Sequence, residues 1–222
     1  MRDLIRQVQA SYPQDTFFAN VDETLRRSRA QYRAYDRAFS LLDTESWNEL
    51  RKKAVSHFRD HRQGQLKQGF FHQLNDAFAY QYLLRQGNSH IRVLGEGNRK
   101  SPDLSYFRGK SLRHCEVKSI GISQEEIYRR HPGKYVNRDG YASLSAGFLN
   151  KLGAHLDEAQ EQICSRGTDG LVFIVATFDD FSLSNYERCR EQISEFLASH
   201  TAPEVYVKVG LIGGRRIHKA DA

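Results

Sequence analysis

HIRVLGEGNRKSPDLSYFRGKSLRHCEVKSIGI, residues 90–122, is the stretch that decides the fold. Polar and apolar side chains alternate through HIRVLG (90–95), and the segments PDLSYF (102–107) and SLRHCEVKSIGI (111–122) also have the composition of β-strands. The segments between them, GEGNRKS (95–101) and RGK (108–110), are rich in turn formers. The stretch therefore predicts three consecutive strands joined by short loops.

Helical patterns lie on both sides of these strands. Upstream, GFFHQLNDAFAYQYLLRQG (69–87) repeats large apolar side chains every four residues, which predicts one helix that stops at Gly87. Downstream, the patterns predict a helix at 146–165, a strand LVFIVATF (171–178), a helix at 184–200 and a strand VYVKVGLIG (205–213). The order α–β–β–β–α–β–α–β predicts an α/β fold with one mixed sheet flanked by helices.

The first third of the chain has a different character. Residues 1–66 are polar, charged and rich in helix formers, which predicts two or three helices in an N-terminal helical extension, with a second domain over residues 67–222. Asp43 or Thr44 is expected to cap the helix that follows. Two basic clusters lie within residues 1–66, one at Arg26, Arg27 and Arg29 and one at RKK (51–53). They could contact phosphates or could form a solvated helix face. Residues 121–145 read as irregular, and the tail RRIHKADA (215–222) is expected to be frayed.

Composition limits the cellular environment and the classes of binding partner that are expected. The 222 residues carry a formal net charge of +6, which favours polyanions such as nucleic acid. No apolar run of about 18 residues occurs, so no membrane-spanning segment is predicted. The first residues have no secretory pattern, and three widely spaced cysteines indicate buried free thiols in a reducing cytoplasm.

The chemistry is concentrated in Pro102–Asp103 and Glu116–Val117–Lys118. Because strand side chains alternate between faces, Glu116 and Lys118 are expected on the same side of one strand. If the PDLSYF strand pairs with the EVK strand, Asp103 can approach Glu116. Two close carboxylates repel unless a cation lies between them, and Mg²⁺ suits oxygen ligands, with Mn²⁺ as an alternative.

The pattern PD, a gap and then ExK on a strand resembles the PD-(D/E)XK nuclease superfamily over about residues 69–180. The resemblance implies a restriction-endonuclease-like fold and metal-dependent hydrolysis of nucleic-acid phosphodiester bonds, with DNA as the expected substrate. It further implies Asp103, Glu116 and the Val117 carbonyl as Mg²⁺ ligands, and Lys118 as the group that positions the attacking water. Asp76 stands where many members carry a helical glutamate, with Ala79, Leu83 and Gly87 at the expected offsets.

Further residues are candidates for contact with the nucleic-acid substrate. In related families the helix after the EVK strand adds a Gln or Lys near the scissile phosphate, which suggests Gln160 here, with Lys151 behind it. Basic side chains in two loops are candidate nucleic-acid contacts: Arg99, Lys100, Arg129, Arg130 and Lys134.

Three alternatives remain at this stage. The same fold could serve as a non-catalytic nucleic-acid-binding or protein-binding module. The basic N-terminal helices could instead carry an interaction function. Glu116 and Lys118 could also form no more than a solvent-exposed ion pair on a hairpin. A homodimer is left open.

Overall fold

The computed structural model describes residues 1–60, 67–97, 100–121, 143–167, 169–178, 180–201 and 204–219. A six-stranded mixed sheet with helices flanking it gives the α/β class expected from the sequence. Its strands, which neighbour one another in chain order, are β1 (Ser89–Val93), β2 (Leu104–Arg108), β3 (Ser111–Ile120), β4 (Gly170–Ala176), β5 (Glu204–Val209) and β6 (Arg216–Lys219).

The chain divides into two compact units, Met1–Leu112 and Arg113–Ala222. The first unit therefore holds both the predicted helical extension and the β1–β2 pair. Its helices are α1 (Arg2–Ser11), α2 (Val21–Arg27), α3 (Arg29–Phe39), α4 (Thr44–Ser56), α5 (Gln68–Leu74) and α6 (Asp76–Arg85), with a 3₁₀ turn at His57–Arg59.

Helix α4 begins where the sequence predicts. The Asp43 carboxylate accepts a hydrogen bond from the backbone N–H of Ser46 at 3.0 Å, which is the N-cap geometry. The Ser46 hydroxyl in turn accepts from the backbone N–H of Val93 at 3.2 Å, so the first turn of α4 is tied to β1. Further along α4, Leu50 and Ala54 are fully buried. The inward face of α4 therefore packs in the interior of this unit.

The predicted helix over 69–87 is two shorter helices, α5 and α6, with Asn75 between them. Asn75 is buried, and its side-chain oxygen accepts a hydrogen bond from the Tyr35 hydroxyl at 3.2 Å. Asparagine favours such local and side-chain bonding over a helix interior, which explains the interruption. Gly87 has φ of 76° and follows the end of α6, as expected.

In the second unit, β3, β4 and β5 run parallel and β6 pairs antiparallel with β5. The expectation of a frayed tail is wrong for Arg216–Lys219, which forms β6 in register with Val205–Lys208, and residues 220–222 lie outside the described residues. The helices of this unit are α7 (Ala146–Cys164), α8 (Asp180–Ser184) and α9 (Tyr186–Ser199). Alternate residues of β4 and β5, together with apolar residues of α7 and α9, form one buried core.

Gly170 fixes the start of the β3–β4 pairing. Its Cα approaches the backbone of His114 so closely that an added Cβ would lie 2.0 Å from the His114 carbonyl oxygen. No side chain fits at that distance, so glycine is required for this register. Within the described residues, no helix is long and apolar enough to cross a bilayer.

Candidate functional site

In the first unit, two acids singled out from the sequence meet at one cation. The Lys53 ammonium of α4 donates to Asp76 Oδ2 and to Asp103 Oδ1, each at 2.8 Å. The side chains of Lys53 and Asp76 are each 3% exposed and that of Asp103 is 19% exposed. We call Lys53, Asp76 and Asp103 the Lys53 cluster.

Local structure explains how these three residues converge. Asp76 is the first residue of α6, where the positive end of the helix dipole favours a carboxylate. Asp103 immediately precedes β2, and its carbonyl accepts from the Leu94 N–H at 2.8 Å, which holds the backbone at the end of the β1–β2 ladder. Lys53 lies three residues after Leu50 on the buried face of α4, so its ammonium enters the unit rather than the solvent.

Burial and charge shift the titration of this cluster in opposite ways. Burial raises the pKa of Asp76 to about 7, because the attraction of Lys53 only partly offsets it and the negative charges of Asp103 and Glu96 add to it. Burial alone would lower the pKa of Lys53, but the two carboxylates outweigh that effect and raise it above its ordinary value. Lys53 therefore stays charged at neutral pH, and Asp76 holds its proton more tightly than an ordinary aspartate does.

A second cluster of titratable side chains is centred on His57. Its Nδ1 lies 2.5 Å from Asp60 Oδ2 and its Nε2 lies 2.7 Å from Glu96 Oε1. Burial lowers the pKa of His57, but the two carboxylates outweigh it, so the pKa is raised above its ordinary value. The first unit thus contains several acids that are balanced by a lysine and a histidine.

In the second unit, Glu116 and Lys118 point to the same side of β3, as the sequence predicts. The Lys118 ammonium lies 2.9 Å from Glu116 Oε1. Helix α7 supplies two further acceptors, Gln162 Oε1 at 2.9 Å and Glu158 Oε2 at 3.2 Å. The three donors of an ammonium can therefore all be used. We call Glu116, Lys118, Glu158 and Gln162 the Lys118 cluster.

This pair is not a solvent-exposed ion pair. The side chains of Glu116 and Lys118 are 5% and 13% exposed. Both lie on the same face of the sheet as Ile120, which belongs to the core formed with α7 and α9. A buried ion pair carries a desolvation cost that a surface pair does not, so its presence at this position calls for a structural or functional reason.

The structure separates the two residues proposed on α7. Gln160 lies about 200° around the helix from Glu158, on a different side from the one that meets Lys118. Lys151 precedes Glu158 by seven residues, or nearly two turns, and so shares its side of α7. Of the glutamines on α7, Gln162 is the one bonded to Lys118.

The remaining assigned residues are distributed as follows. Val117 is half-buried and pairs with Phe173 of β4, so β3 lies inside the sheet here. Lys100 is exposed. Arg99, Arg129, Arg130 and Lys134 lie outside the described residues, as does most of the segment 121–145.

The donor set of the first unit suits a hard cation. Two carboxylate oxygens already face one positive charge, and Mg²⁺ is commonly held by one or two carboxylates together with water and substrate phosphate. The described residues contain no group of three or more His, Cys, Asp or Glu side chains arranged for a metal. Lys53 stands at the point where the two carboxylates converge, so a cation bound by both would have to displace its ammonium.

Sequence reasoning missed the role of Lys53. The cluster RKK (51–53) was interpreted as one basic surface, whereas Lys52 is exposed and Lys53 is buried. Helical spacing carried the signal, because Lys53 follows Leu50 by three residues on the apolar face. A lysine at such a position requires an acidic partner from elsewhere in the chain.

Comparison of the chain with protein-family models, with curated proteins and with solved structures gives no match.

Proposed function

We propose that this chain is a Mg²⁺-dependent nuclease that hydrolyses phosphodiester bonds of DNA. The observation that carries the proposal is the meeting of Asp76 and Asp103 at one cationic position, 2.8 Å from the Lys53 ammonium in each case. Asp103 belongs to the PD element, and Asp76 stands where the same resemblance implies a helical acid. Their convergence supports the resemblance to the PD-(D/E)XK superfamily and, with the mixed sheet, a restriction-endonuclease-like fold.

The ExK element provides the second line of support. Glu116 and Lys118 are buried together on one face of β3, with a carboxylate and an amide from α7 around the ammonium. A lysine held in this way can orient a water molecule and offset negative charge that develops on a phosphate. A buried acid–lysine pair with side chains fixed on two elements is preorganised for that task.

The resemblance assigns Mg²⁺ to Asp103, Glu116 and the Val117 carbonyl. Bound Mg²⁺ supplies Lewis-acid polarisation of a phosphoryl oxygen. In this proposal Asp103 and Glu116 would hold the cation, and Lys118 would orient the attacking water. Asp76, with a pKa raised to about 7, can exchange a proton at neutral pH.

The direct test is incubation of the full chain with supercoiled and linear DNA, with Mg²⁺, with Mn²⁺ and with EDTA. We expect cleavage that requires the metal and that is lost in Asp103→Asn, Glu116→Gln and Lys118→Met. Matched controls remove comparable side chains outside the motif. Lys219→Met deletes a lysine that bonds the carbonyls at the end of α9, and Asp15→Asn deletes the carboxylate paired with Lys67.

Both controls should retain cleavage if their circular dichroism spectra match the wild type. Metal-dependent cleavage at the wild-type rate by any of the three motif variants would overturn the assignment. Equal loss in the controls would show that the assay reports stability rather than chemistry.

One observation favours a second candidate, a non-catalytic nucleic-acid-binding module. The Lys53 ammonium already contacts both Asp76 and Asp103, and a chain with such an internal cation has no need of a metal there. Thermal unfolding with and without Mg²⁺ separates the two functions. A ligand at 100 times its Kd stabilises by about 2.7 kcal/mol, so a nuclease should gain melting temperature and a metal-free module should not.

A further inference from the structure

Three arginines lie along one side of α3. Arg29, Arg33 and Arg37 recur every four residues and all are exposed. Residues four apart on a helix lie on the same side, about 6 Å apart along its axis. The three positions therefore span about 12 Å along the helix axis on one side of α3, and we call them the arginine stripe.

The described part of the chain does not neutralise the stripe. Among the residues that the structure describes, no carboxylate lies within ion-pair distance of any of its three guanidinium groups. Neighbouring arginines differ in this respect. Arg26 and Arg27 each contact Glu23 at 2.6 Å, and Arg2 contacts Asp22 at 2.7 Å.

One acid lies beside the stripe. Asp36 precedes Arg37 on α3, but its carboxylate accepts from the Met1 amino group at 2.7 Å. Its charge is therefore offset by another group, and the stripe keeps a local positive excess.

Helix stability does not account for this arrangement. Like charges four residues apart destabilise a helix by about 0.2–0.5 kcal/mol per pair. Arg29 is the first residue of α3, at the positive end of the helix dipole, and no acidic residue occurs in the first turn. Features that oppose local stability without compensation inside the chain are expected where a partner supplies the compensation.

The composition of this face indicates the kind of partner. Tyr32, Tyr35 and Phe39 are buried on the other side of α3, and the exposed positions beside the stripe are Ala30, Gln31, Asp36 and Ser40. A membrane-binding helix exposes a large apolar face, and protein hot spots are rich in aromatic anchors. Neither is found on the exposed face of α3, whereas guanidinium groups pair with phosphates in bidentate geometry.

We propose that the arginine stripe binds the phosphate backbone of a nucleic acid. The choice of partner rests in part on the proposed nuclease function, but the stripe shares no residue with the Lys53 and Lys118 clusters and needs no metal. It would hold the strand through charge and would not read its sequence.

The test is equilibrium binding of the full chain to a fluorescent 20-base-pair DNA in EDTA, followed by anisotropy over a range of salt concentrations. Three triple variants are compared with the wild type. The stripe variant changes Arg29, Arg33 and Arg37 to Gln. The rescue variant changes the same positions to Lys. The control changes Arg2, Arg6 and Arg190 to Gln, which removes three exposed arginines that the chain itself pairs with acids.

Each phosphate contact contributes about 0.9 to the slope of log K against log salt on duplex DNA. The stripe variant should therefore lose two to three units of slope and at least tenfold in affinity at 0.1 M salt, by this order-of-magnitude relation. The control should lose less than one unit. The lysine variant should keep most of the slope, since it keeps the charge.

Equal slopes for the stripe and control variants would overturn the proposal, as would stripe-dependent binding to phosphatidylserine vesicles with DNA binding unchanged. Because EDTA excludes metal-dependent cleavage, this result is independent of the nuclease assay. If the stripe variant shows that the stripe binds DNA but the wild-type chain does not cleave DNA, the nuclease proposal is refuted and the binding proposal is not. Matching melting temperatures show that each variant is folded.

Discussion

Replacing Lys53 by methionine should show how much the free energy of unfolding falls when Asp76 and Asp103 lose their shared cation. Methionine keeps most of the volume and removes the charge, so Asp76 and Asp103 would face each other without a cation. Lys53 is buried, and breaking a buried ion pair by removing one partner typically costs about 3–5 kcal/mol. We expect a loss of this size in the free energy of unfolding at pH 8.

The loss of unfolding free energy should depend on pH, because Asp76 no longer carries a buried charge once it takes up a proton. With its pKa raised to about 7, Asp76 binds its proton more tightly in the folded than in the unfolded chain. Its contribution to stability is therefore full at low pH and is lost as pH rises through the folded pKa. Removing Lys53 raises that pKa further, so the variant keeps losing stability above pH 7 where the wild type does not. One pKa unit corresponds to about 1.4 kcal/mol, so the gap between the two should widen by about 1 kcal/mol from pH 6 to pH 8.

Urea denaturation at pH 6, 7 and 8 measures these differences, with the fluorescence of the single tryptophan, Trp47 of α4, as a local probe. Lys52→Met is the matched control, since Lys52 is exposed and should change stability by less than about 0.5 kcal/mol. The double variant Lys53→Met with Asp76→Asn should recover much of the loss, because it removes the buried charge left behind. Equal stability of Lys53→Met and Lys52→Met at pH 8 would refute the reasoning.

Three further changes test other parts of the structure by urea denaturation. Gly170→Ala should destabilise by about 1–3 kcal/mol or more, because its Cβ would lie 2.0 Å from the His114 carbonyl oxygen, whereas Gly147→Ala, with its nearest contact at 3.7 Å, should be neutral or stabilising. Equal effects of the two would contradict the register of β3 and β4. His57→Gln should cost less than about 1 kcal/mol below the unfolded histidine pKa, and this cost should disappear as pH rises through the raised folded pKa, because only the charged imidazole gains from its two carboxylates. A cost that grows with pH would have the wrong sign. Asp43→Ala should cost about 0.5–2 kcal/mol through loss of the α4 cap, and an unchanged midpoint would show that the cap is dispensable.

Local patterns were sufficient for much of the fold. The apolar period of residues 184–200 predicts that Cys189, Ile193 and Leu197 share the inward face of α9, and all three are buried. Two-residue alternation placed Glu116 and Lys118 on one side of β3, and the ion pair between them follows from that. These features depend on neighbours within a few positions, which is the range over which periodicity is informative.

Features that depend on distant residues were not predictable in this way. Lys53 meets partners 23 and 50 positions away, and nothing near it in sequence names them. The tail forms β6 because β5 offers it an unpaired edge, which the tail sequence RRIHKADA does not show by itself. Gln162 rather than Gln160 meets Lys118 because of the rotational setting of α7 against the sheet, and a shift of two residues turns a helix side chain to another face.

Strand β6 also governs how the sheet ends. Without it, Val205, Val207 and the rest of β5 would present a row of open backbone donors and acceptors on an apolar strand, which is a template for pairing with another chain. With it, the outermost strand carries Arg216, His218 and Lys219, and like charges discourage a second molecule from adding there. The four-residue strand β6 thus covers the edge of β5 and protects the parallel strands from self-association. Deleting it should favour aggregation.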